Sequence, residues 1–170
     1  MLILLTISAV MAVLYTGAVI WKRRSFPESI SAMVFDLPKR WQWVWGIWLW
    51  SVAFTSCIPA ITALEGKGAE AFGYLTLVCL VFTGAMPLYD ADNKRMHYFF
   101  AYAAGILSQA CVVGLDWHWL LVWLVYPLLP YIDGYFYMPG LPMWLLRIKT
   151  FVIETLCAIP FFGALFVYYY

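Results

Sequence analysis

The chain has 170 residues, of which 65% are hydrophobic and only 11% are charged, and its mean hydropathy is +0.84. A soluble domain carries about 25% charged residues, so ten Lys and Arg with nine Asp and Glu side chains are too few to cover a soluble fold of this length. The composition excludes a soluble globular domain and predicts a polytopic membrane protein in contact with the lipid bilayer. A nucleic-acid-binding protein is also excluded, because no basic stripe lies outside the apolar runs.

The apolar runs predict an all-α transmembrane bundle of about six spans. The first run, residues 1–21, reaches about 31 Å as a helix, which is long enough to cross a bilayer. Its positive charges follow it at Lys22, Arg23 and Arg24, so a retained span with its N-terminus outside is predicted rather than a cleaved signal peptide. The remaining spans of this single domain, residues 1–170, are predicted at residues 41–63, 71–89, 96–115, 117–132 and 148–170.

The fifth predicted span is the shortest of the six and contains Pro127 and Pro130. Proline interrupts the hydrogen bonds of a membrane helix, and irregular backbone is tolerated at membrane depth only where protein or water surrounds it. The sequence therefore leaves open whether segment 117–147 crosses the membrane fully or is partly re-entrant.

The basic residues support six spans and an orientation. With the N-terminus outside, nine of the ten Lys and Arg residues fall in connections on one side, and only Lys67 falls on the other. This asymmetry is what the positive-inside rule expects, so the basic loops are predicted to be cytoplasmic and both termini outside. The only asparagine, Asn93, is followed by Lys94 and Arg95 and forms no glycosylation sequon. We therefore expect a bacterial inner membrane.

The first cytoplasmic connection predicts a short amphipathic helix in the membrane interface. Ser25 and Glu28 have the spacing of a capping box. Apolar residues then recur at helical spacing up to Pro38, and Ser29 and Asp36, seven residues apart, are predicted to share the opposite face.

Glu154 is the most prominent candidate functional residue, because ionisable groups inside a membrane are costly. It lies about 9 Å along the last predicted span. One interpretation is structural: a protonated carboxyl, or one paired with Arg147 or Lys149. The other is a proton carrier, a metal ligand or a catalytic base.

The predicted topology brings further acidic groups and one histidine to the same cytoplasmic end. Asp90, Asp92 and His97 bracket the turn between spans three and four, and Asp133 follows span five. Carboxylates with a histidine can bind a divalent metal that activates water. The candidate catalytic residues are Glu154, His97 and Asp90, and the candidate metal ligands are Asp90, Asp92, His97 and Asp133. The alternative is solvated charges and helix caps, and no other cofactor is predicted.

Span four carries a polar stripe of Tyr98, Tyr102, Gly105 and Gln109 at helical spacing. Such residues commonly hold membrane helices together. They are equally suited to line an ion or substrate path together with Glu154, so both interpretations are kept.

Two resemblances rest on these residues. The stretch Pro27-Glu28-Ser29-Ile30-Ser31-Ala32, between one apolar span and a tryptophan-rich one, resembles uncharacterised small bacterial polytopic membrane proteins with a P-x-S-I-S-like segment. The positions of Ser29 or Ser31, Asp90 and His97 resemble the alkaline-ceramidase-like superfamily of membrane hydrolases. That second resemblance implies a zinc site built from a serine, an aspartate and histidines, although this chain has Glu154 where the family has a histidine pair.

Three functions remain open from the sequence. The first is a non-catalytic accessory subunit that binds a membrane protein partner or forms a homo-oligomer, which the small size and missing catalytic motifs favour. The second is a small channel or transporter that uses Glu154 and the span-four stripe. The third is a lipid-modifying or metal-dependent hydrolase of the inner leaflet that uses Asp90, His97 and Glu154. An enzyme is the less favoured class.

The six-span topology predicts that Lys67 and Lys94 lie on opposite sides of the membrane. Cysteines placed at these positions should react with an impermeant maleimide from opposite sides of sealed vesicles, because an odd number of crossings separates the two residues. Labelling of both from the same side would contradict six spans.

Overall fold

The computed structural model describes residues 1–86, 94–125 and 149–170, and within these ranges the secondary structure is entirely helical. Three 3₁₀ segments, Ser31–Asp36, Lys39–Trp41 and Trp117–Val125, accompany five α-helices among the described residues. These α-helices are α1 (Leu2–Arg23), α2 (Gln42–Leu64), α3 (Glu70–Ala85), α4 (Lys94–Asp116) and α5 (Lys149–Tyr169).

Four helical stretches among the described residues are long and apolar enough to cross a membrane: Leu2–Arg23, Lys39–Leu64, Lys94–Leu124 and Thr150–Tyr169. They coincide with the predicted first, second, fourth and last spans, the third of them running on into the segment predicted as span five. Helix α3 is apolar but has only 16 residues, or about 24 Å, which is short for a hydrocarbon core of about 30 Å. Large apolar side chains lie exposed on the outside of the bundle, among them Ile3, Val13 and Val113.

The helices form a ring in which α1 packs on α2, α2 on α3, α3 on α4, α4 on α5 and α5 on α1. The contact between α1 and α5 is the sparsest of these. One end of the ring is here called the basic end, because six Lys and Arg residues lie there: Lys22, Arg23, Lys39, Arg40, Lys94 and Arg95. Helix α1 ends at the basic end, and helices α2, α4 and α5 begin there. Lys67 lies at the opposite end, where its ammonium is 4.6 Å from the Tyr168 ring centroid.

The densest apolar core lies in the half away from the basic end. It consists of Leu5, Cys57, Ala60, Ala63, Leu64, Cys111, Val112, Phe161, Ala164 and Leu165. In the same region the Tyr169 hydroxyl donates to the Pro59 carbonyl at 2.7 Å and ties α5 to α2. A smaller cluster of Val34, Trp45 and Leu49 lies towards the basic end. The interior is thus closely packed in the half away from the basic end and less closely packed in the other half.

The chain reverses after α4. The Asp116 carboxylate accepts the His118 N–H at 3.1 Å and so stabilises the turn. The 3₁₀ segment Trp117–Val125 then packs on both α4 and α5. Trp123 donates its indole N–H to the Gln109 side-chain oxygen at 2.9 Å, so residue 123 is back at the level of residue 109. The described part of predicted span five therefore returns into the bundle, while residues 126–132 of that span lie outside the described residues.

The predicted amphipathic helix differs from the observed segment. The helix is a 3₁₀ helix that begins at Ser31 rather than near Ser25. Ile30 is its N-cap residue, and the hydroxyl of the preceding Ser29 accepts the Ala32 N–H at 2.9 Å. Met33 and Val34 are buried in the protein rather than turned to lipid. Pro27 and the hydrogen bonds made by residues 28–31 with distant helices account for the later start, since tertiary contacts override local capping.

Asp36, the last residue of this 3₁₀ helix, makes contacts that the sequence did not predict. Its carboxylate pairs with Arg23, Nε–Oδ1 3.0 Å, and Lys22 donates to its carbonyl at 2.8 Å. Ser29 lines the interior instead. The two residues therefore do not share a face, because a 3₁₀ helix has three residues per turn and begins only after Ser29.

Helices α2 and α3 pack closely where Gly46 and Gly84 face each other. A Cβ added to Gly84 would lie 2.5 Å from the Trp50 indole nitrogen, and one added to Gly46 would lie 3.0 Å from the Gly84 carbonyl oxygen. Trp50 cannot simply move away without losing its hydrogen bond to the Val81 carbonyl, 2.9 Å. Small residues at this crossing let the two backbones meet, as is common in membrane helix pairs.

Replacing Gly84 with alanine should therefore lower the free energy of unfolding by about 1–3 kcal/mol, the range expected for overpacking. The measurement is equilibrium unfolding in mixed micelles. Gly17→Ala in α1 is the matched control, because a Cβ there meets no atom within 4 Å. Equal effects of the two substitutions would contradict the close α2–α3 crossing.

Candidate functional site

The described residues line a partly open cavity of about 400 Å³ that extends from the basic end to the closed core, where Phe161 borders both. All five helices and the loop Ser29–Ser31 contribute to its wall, which is predominantly apolar. Aromatic rings form a large part of it: Trp45, Trp48, Tyr98, Tyr102, Trp123, Phe161 and Phe162. Most of the polar side chains in the wall are serine and threonine hydroxyls, and the carboxyl group among the lining residues is that of Glu154.

Glu154 reaches the cavity from the second turn of α5. Its carboxylate accepts the backbone N–H of Ile30, in the loop that follows α1. A second hydrogen bond joins the same two segments, because Phe151 donates its backbone N–H to the Glu28 carbonyl at 3.1 Å. The loop and the start of α5 are thus fastened together, and the fastening holds the carboxylate at the cavity wall.

Glu154 has no basic side chain as an ion-pair partner among the described residues. Among the described residues, the ion pair that involves a Lys or Arg is the one between Arg23 and Asp36. Arg147, one of the two partners predicted from sequence, lies outside the described residues, and the side chain of Lys149 is likewise not described. Within the described structure, the carboxylate is stabilised by a backbone amide rather than by a cation.

His97 is completely buried next to the same loop. Its Nδ1 lies 2.8 Å from the Met86 carbonyl and 3.1 Å from the Thr83 carbonyl, and carbonyls only accept, so Nδ1 carries a proton. In the neutral ring Nε2 then accepts the hydroxyl hydrogen of Ser31, 2.9 Å away. His97 and Glu154 therefore contact consecutive residues of one loop, Ser31 and Ile30, which brings two predicted site residues to the same place.

The Ser31–His97 pair has part of the geometry of an activated nucleophile. An imidazole nitrogen accepts the serine hydroxyl, and the other ring nitrogen is oriented by hydrogen bonds. Here the orienting groups are two backbone carbonyls instead of a carboxylate. The same contacts join α3 and α4 to the loop after α1, so the pair also acts as a structural connection. The sequence indicated Ser31 only through a resemblance, because no local spacing predicts a hydrogen-bond partner 66 residues away.

The span-four stripe is divided between two roles. Gln109 donates to the Ser108 hydroxyl and the Cys157 carbonyl, both at 3.0 Å, and accepts from Trp123. It therefore joins α4, α5 and the 117–125 segment. Tyr98 and Tyr102 line the rim of the cavity and are 40% and 62% exposed. The stripe thus contributes helix contacts at Gln109 and cavity wall at the tyrosines.

The predicted metal ligands are only partly described. Asp90, Asp92 and Asp133 lie outside the described residues. Among those that are described, no three His, Cys, Asp or Glu side chains are placed to hold a metal ion, and His97 uses both ring nitrogens for hydrogen bonds. The divalent metal site thus stays a prediction from the sequence.

No protein-family model, curated protein or solved structure matches this chain. The two resemblances remain predictions from the sequence.

Replacing His97 with alanine should lower the free energy of unfolding by about 3 kcal/mol, because it empties a buried site and leaves Ser31 and two carbonyls without a partner. Ser31→Ala should cost about 1 kcal/mol, since the carbonyl bonds persist. Unfolding in mixed micelles measures both.

The matched control is His118→Ala, which removes an exposed histidine at the opposite end. An effect of His118→Ala as large as that of His97→Ala would contradict the structural connection made by His97.

Proposed function

We propose that this chain is a multi-pass membrane protein that binds an amphipathic ligand inside its helix bundle. The cavity carries the proposal: it is apolar over most of its wall and has a carboxylate and hydroxyl groups at one side. Its volume of about 400 Å³ falls in the range of small-molecule sites, about 300–1,000 Å³. An apolar ligand chain would lie among the aromatic rings, with its polar group towards Glu154.

The sparse contact between α1 and α5 supports access from the side. Ala12 and Thr16 of α1 and Ile153 and Glu154 of α5 all line the cavity, so these two helices flank the interior where packing is thinnest. The dense core closes the other half of the bundle. An amphipathic molecule dissolved in the bilayer would thus enter at the exposed rim formed by Tyr98 and Tyr102 or between α1 and α5, rather than from the closed half.

The positive-inside rule supports an orientation in which the basic end faces the cytoplasm. The polar side of the cavity then lies towards the cytoplasmic leaflet, and six spans and a bacterial inner membrane remain part of the proposal. The accessory-subunit prediction concerns the outer surface, where exposed apolar side chains of α1 suit either lipid or a partner helix. Ligand binding is preferred because the cavity is a specific structural feature.

Filling the cavity should abolish ligand binding. Ala12 lines the cavity and Ala18, on the same helix, is exposed and does not. The probe is a neutral long-chain alcohol carrying a photoreactive diazirine, with crosslinked residues mapped by mass spectrometry on the full chain in phosphatidylcholine nanodiscs. The parent protein should show saturable labelling at cavity-lining residues, competed by unlabelled alcohol.

Ala12→Phe should reduce this saturable labelling at least about tenfold, equivalent to about 1.4 kcal/mol of binding free energy, while Ala18→Phe should leave it unchanged. Labelling confined to the lipid-facing surface, or unaffected by Ala12→Phe, would refute the proposal.

A further inference from the structure

The charge chemistry of the cavity restricts what it binds. None of its described lining residues is Lys, Arg or His, whereas Glu154 is among them. The Gln109 amide nitrogen already donates to Ser108 and Cys157, so it is not free to hold an anion. A ligand with a negative charge would meet a carboxylate without any compensating cation in the described wall. Anionic ligands are therefore disfavoured.

A carboxylate in this position gains from a positive charge. An ionised group removed from water is strongly destabilised unless it is paired, and Glu154 has the Ile30 amide but no described basic side chain within ion-pair distance. An opposite charge within about 4–6 Å stabilises the ionised form. A cationic ligand group would supply that charge, and the ion pair would form beside apolar walls, where it is stronger than in bulk water.

The aromatic wall adds a second, independent preference for cations. Trp45, Trp48, Tyr98 and Tyr102 all line the space that Glu154 faces. The negative face of an aromatic ring attracts a cation by about 0.5–2 kcal/mol, the larger value applying when water is excluded. A carboxylate among aromatic rings is the combination by which proteins recognise quaternary ammonium groups, whose charge is spread over apolar substituents.

We propose that the ligand is a lipophilic monovalent cation, an amine or a quaternary onium ion with apolar substituents, whose charge lies against the Glu154 carboxylate and whose substituents occupy the aromatic cavity. This inference rests on the proposed function, since it needs an occupied cavity, and it adds the sign of the ligand's charge. Glu154 has two tasks in it: it fastens the loop at Ile30 and presents a negative charge to the interior.

The experiment compares two probes of the same shape and opposite charge, tetraphenylphosphonium and tetraphenylborate. Binding of each is measured by equilibrium dialysis against the full chain in phosphatidylcholine nanodiscs, and empty nanodiscs supply the partition background. Neutral lipid is used because anionic lipid would attract the cation by itself. The parent protein should bind tetraphenylphosphonium saturably and at least about tenfold more tightly than tetraphenylborate.

Glu154→Gln keeps the shape and an oxygen that accepts the Ile30 N–H but removes the charge, so it should lower tetraphenylphosphonium affinity at least about tenfold. Glu154→Asp keeps the charge and should retain the preference for the cation, which separates loss of charge from loss of folding. Glu65→Gln, at an exposed position at the opposite end, is the matched control and should bind as the parent does. Thermal unfolding of each variant is recorded alongside.

Equal binding of the two probes, no saturable binding of the cation, or an unchanged cation affinity in Glu154→Gln would each overturn the inference. The alcohol labelling judges the cavity separately. Saturable labelling of the cavity together with no preference for the cation would leave ligand binding intact and remove only the charge assignment. Loss of both would remove the proposed function as well.

Discussion

The loop Glu28–Ser31 is the point at which the basic half of the bundle is held together. It follows α1 directly, yet its hydrogen bonds go to residues far along the chain: Ile30 to Glu154, Glu28 to Phe151 and Ser31 to His97. Backbone groups in an apolar environment must find partners within the protein. Because α4 and α5 provide these partners, the loop enters the bundle instead of lying on the membrane surface, and the cavity acquires its polar side.

The two halves of the bundle differ in how they are packed. Away from the basic end, small and aliphatic residues such as Ala60, Ala63 and Leu165 pack into a closed core. Hydrogen bonds that involve His97 and Glu154 near the basic end, and Gln109 farther along α4, hold the helices around the cavity. A hydrogen bond fixes the distance between two segments without filling the space beside it. Polar connections therefore preserve a cavity that close apolar packing would eliminate, at positions where the chain has aromatic rings to line it.

Those same connections stabilise the fold and border the cavity that is proposed to bind a ligand. The Ile30 N–H donates to the Glu154 carboxyl group and holds it at the wall of a cavity lined by aromatic rings. His97 makes a comparable connection, but both of its ring nitrogens are hydrogen-bonded to other protein groups, which leaves no nitrogen to contact a ligand. This difference is why Glu154, rather than His97, carries the proposals for a ligand.

The sequence by itself determined that the chain is all-α and where four long apolar helices lie that could cross a membrane. Runs of apolar residues and the placement of Lys and Arg report how chain segments partition into lipid, a local property, and the first, second, fourth and last spans fall on helices. It also indicated Glu154, because an ionisable residue within an apolar run is visible without a structure. Only the tertiary structure decided the start of the helix at Ser31, the pairing of Ser31 with His97, the use of Gln109 as a helix contact and the existence of the cavity. Each depends on contacts between residues tens of positions apart, and local spacing carries no information about which distant donor or acceptor a polar group will meet.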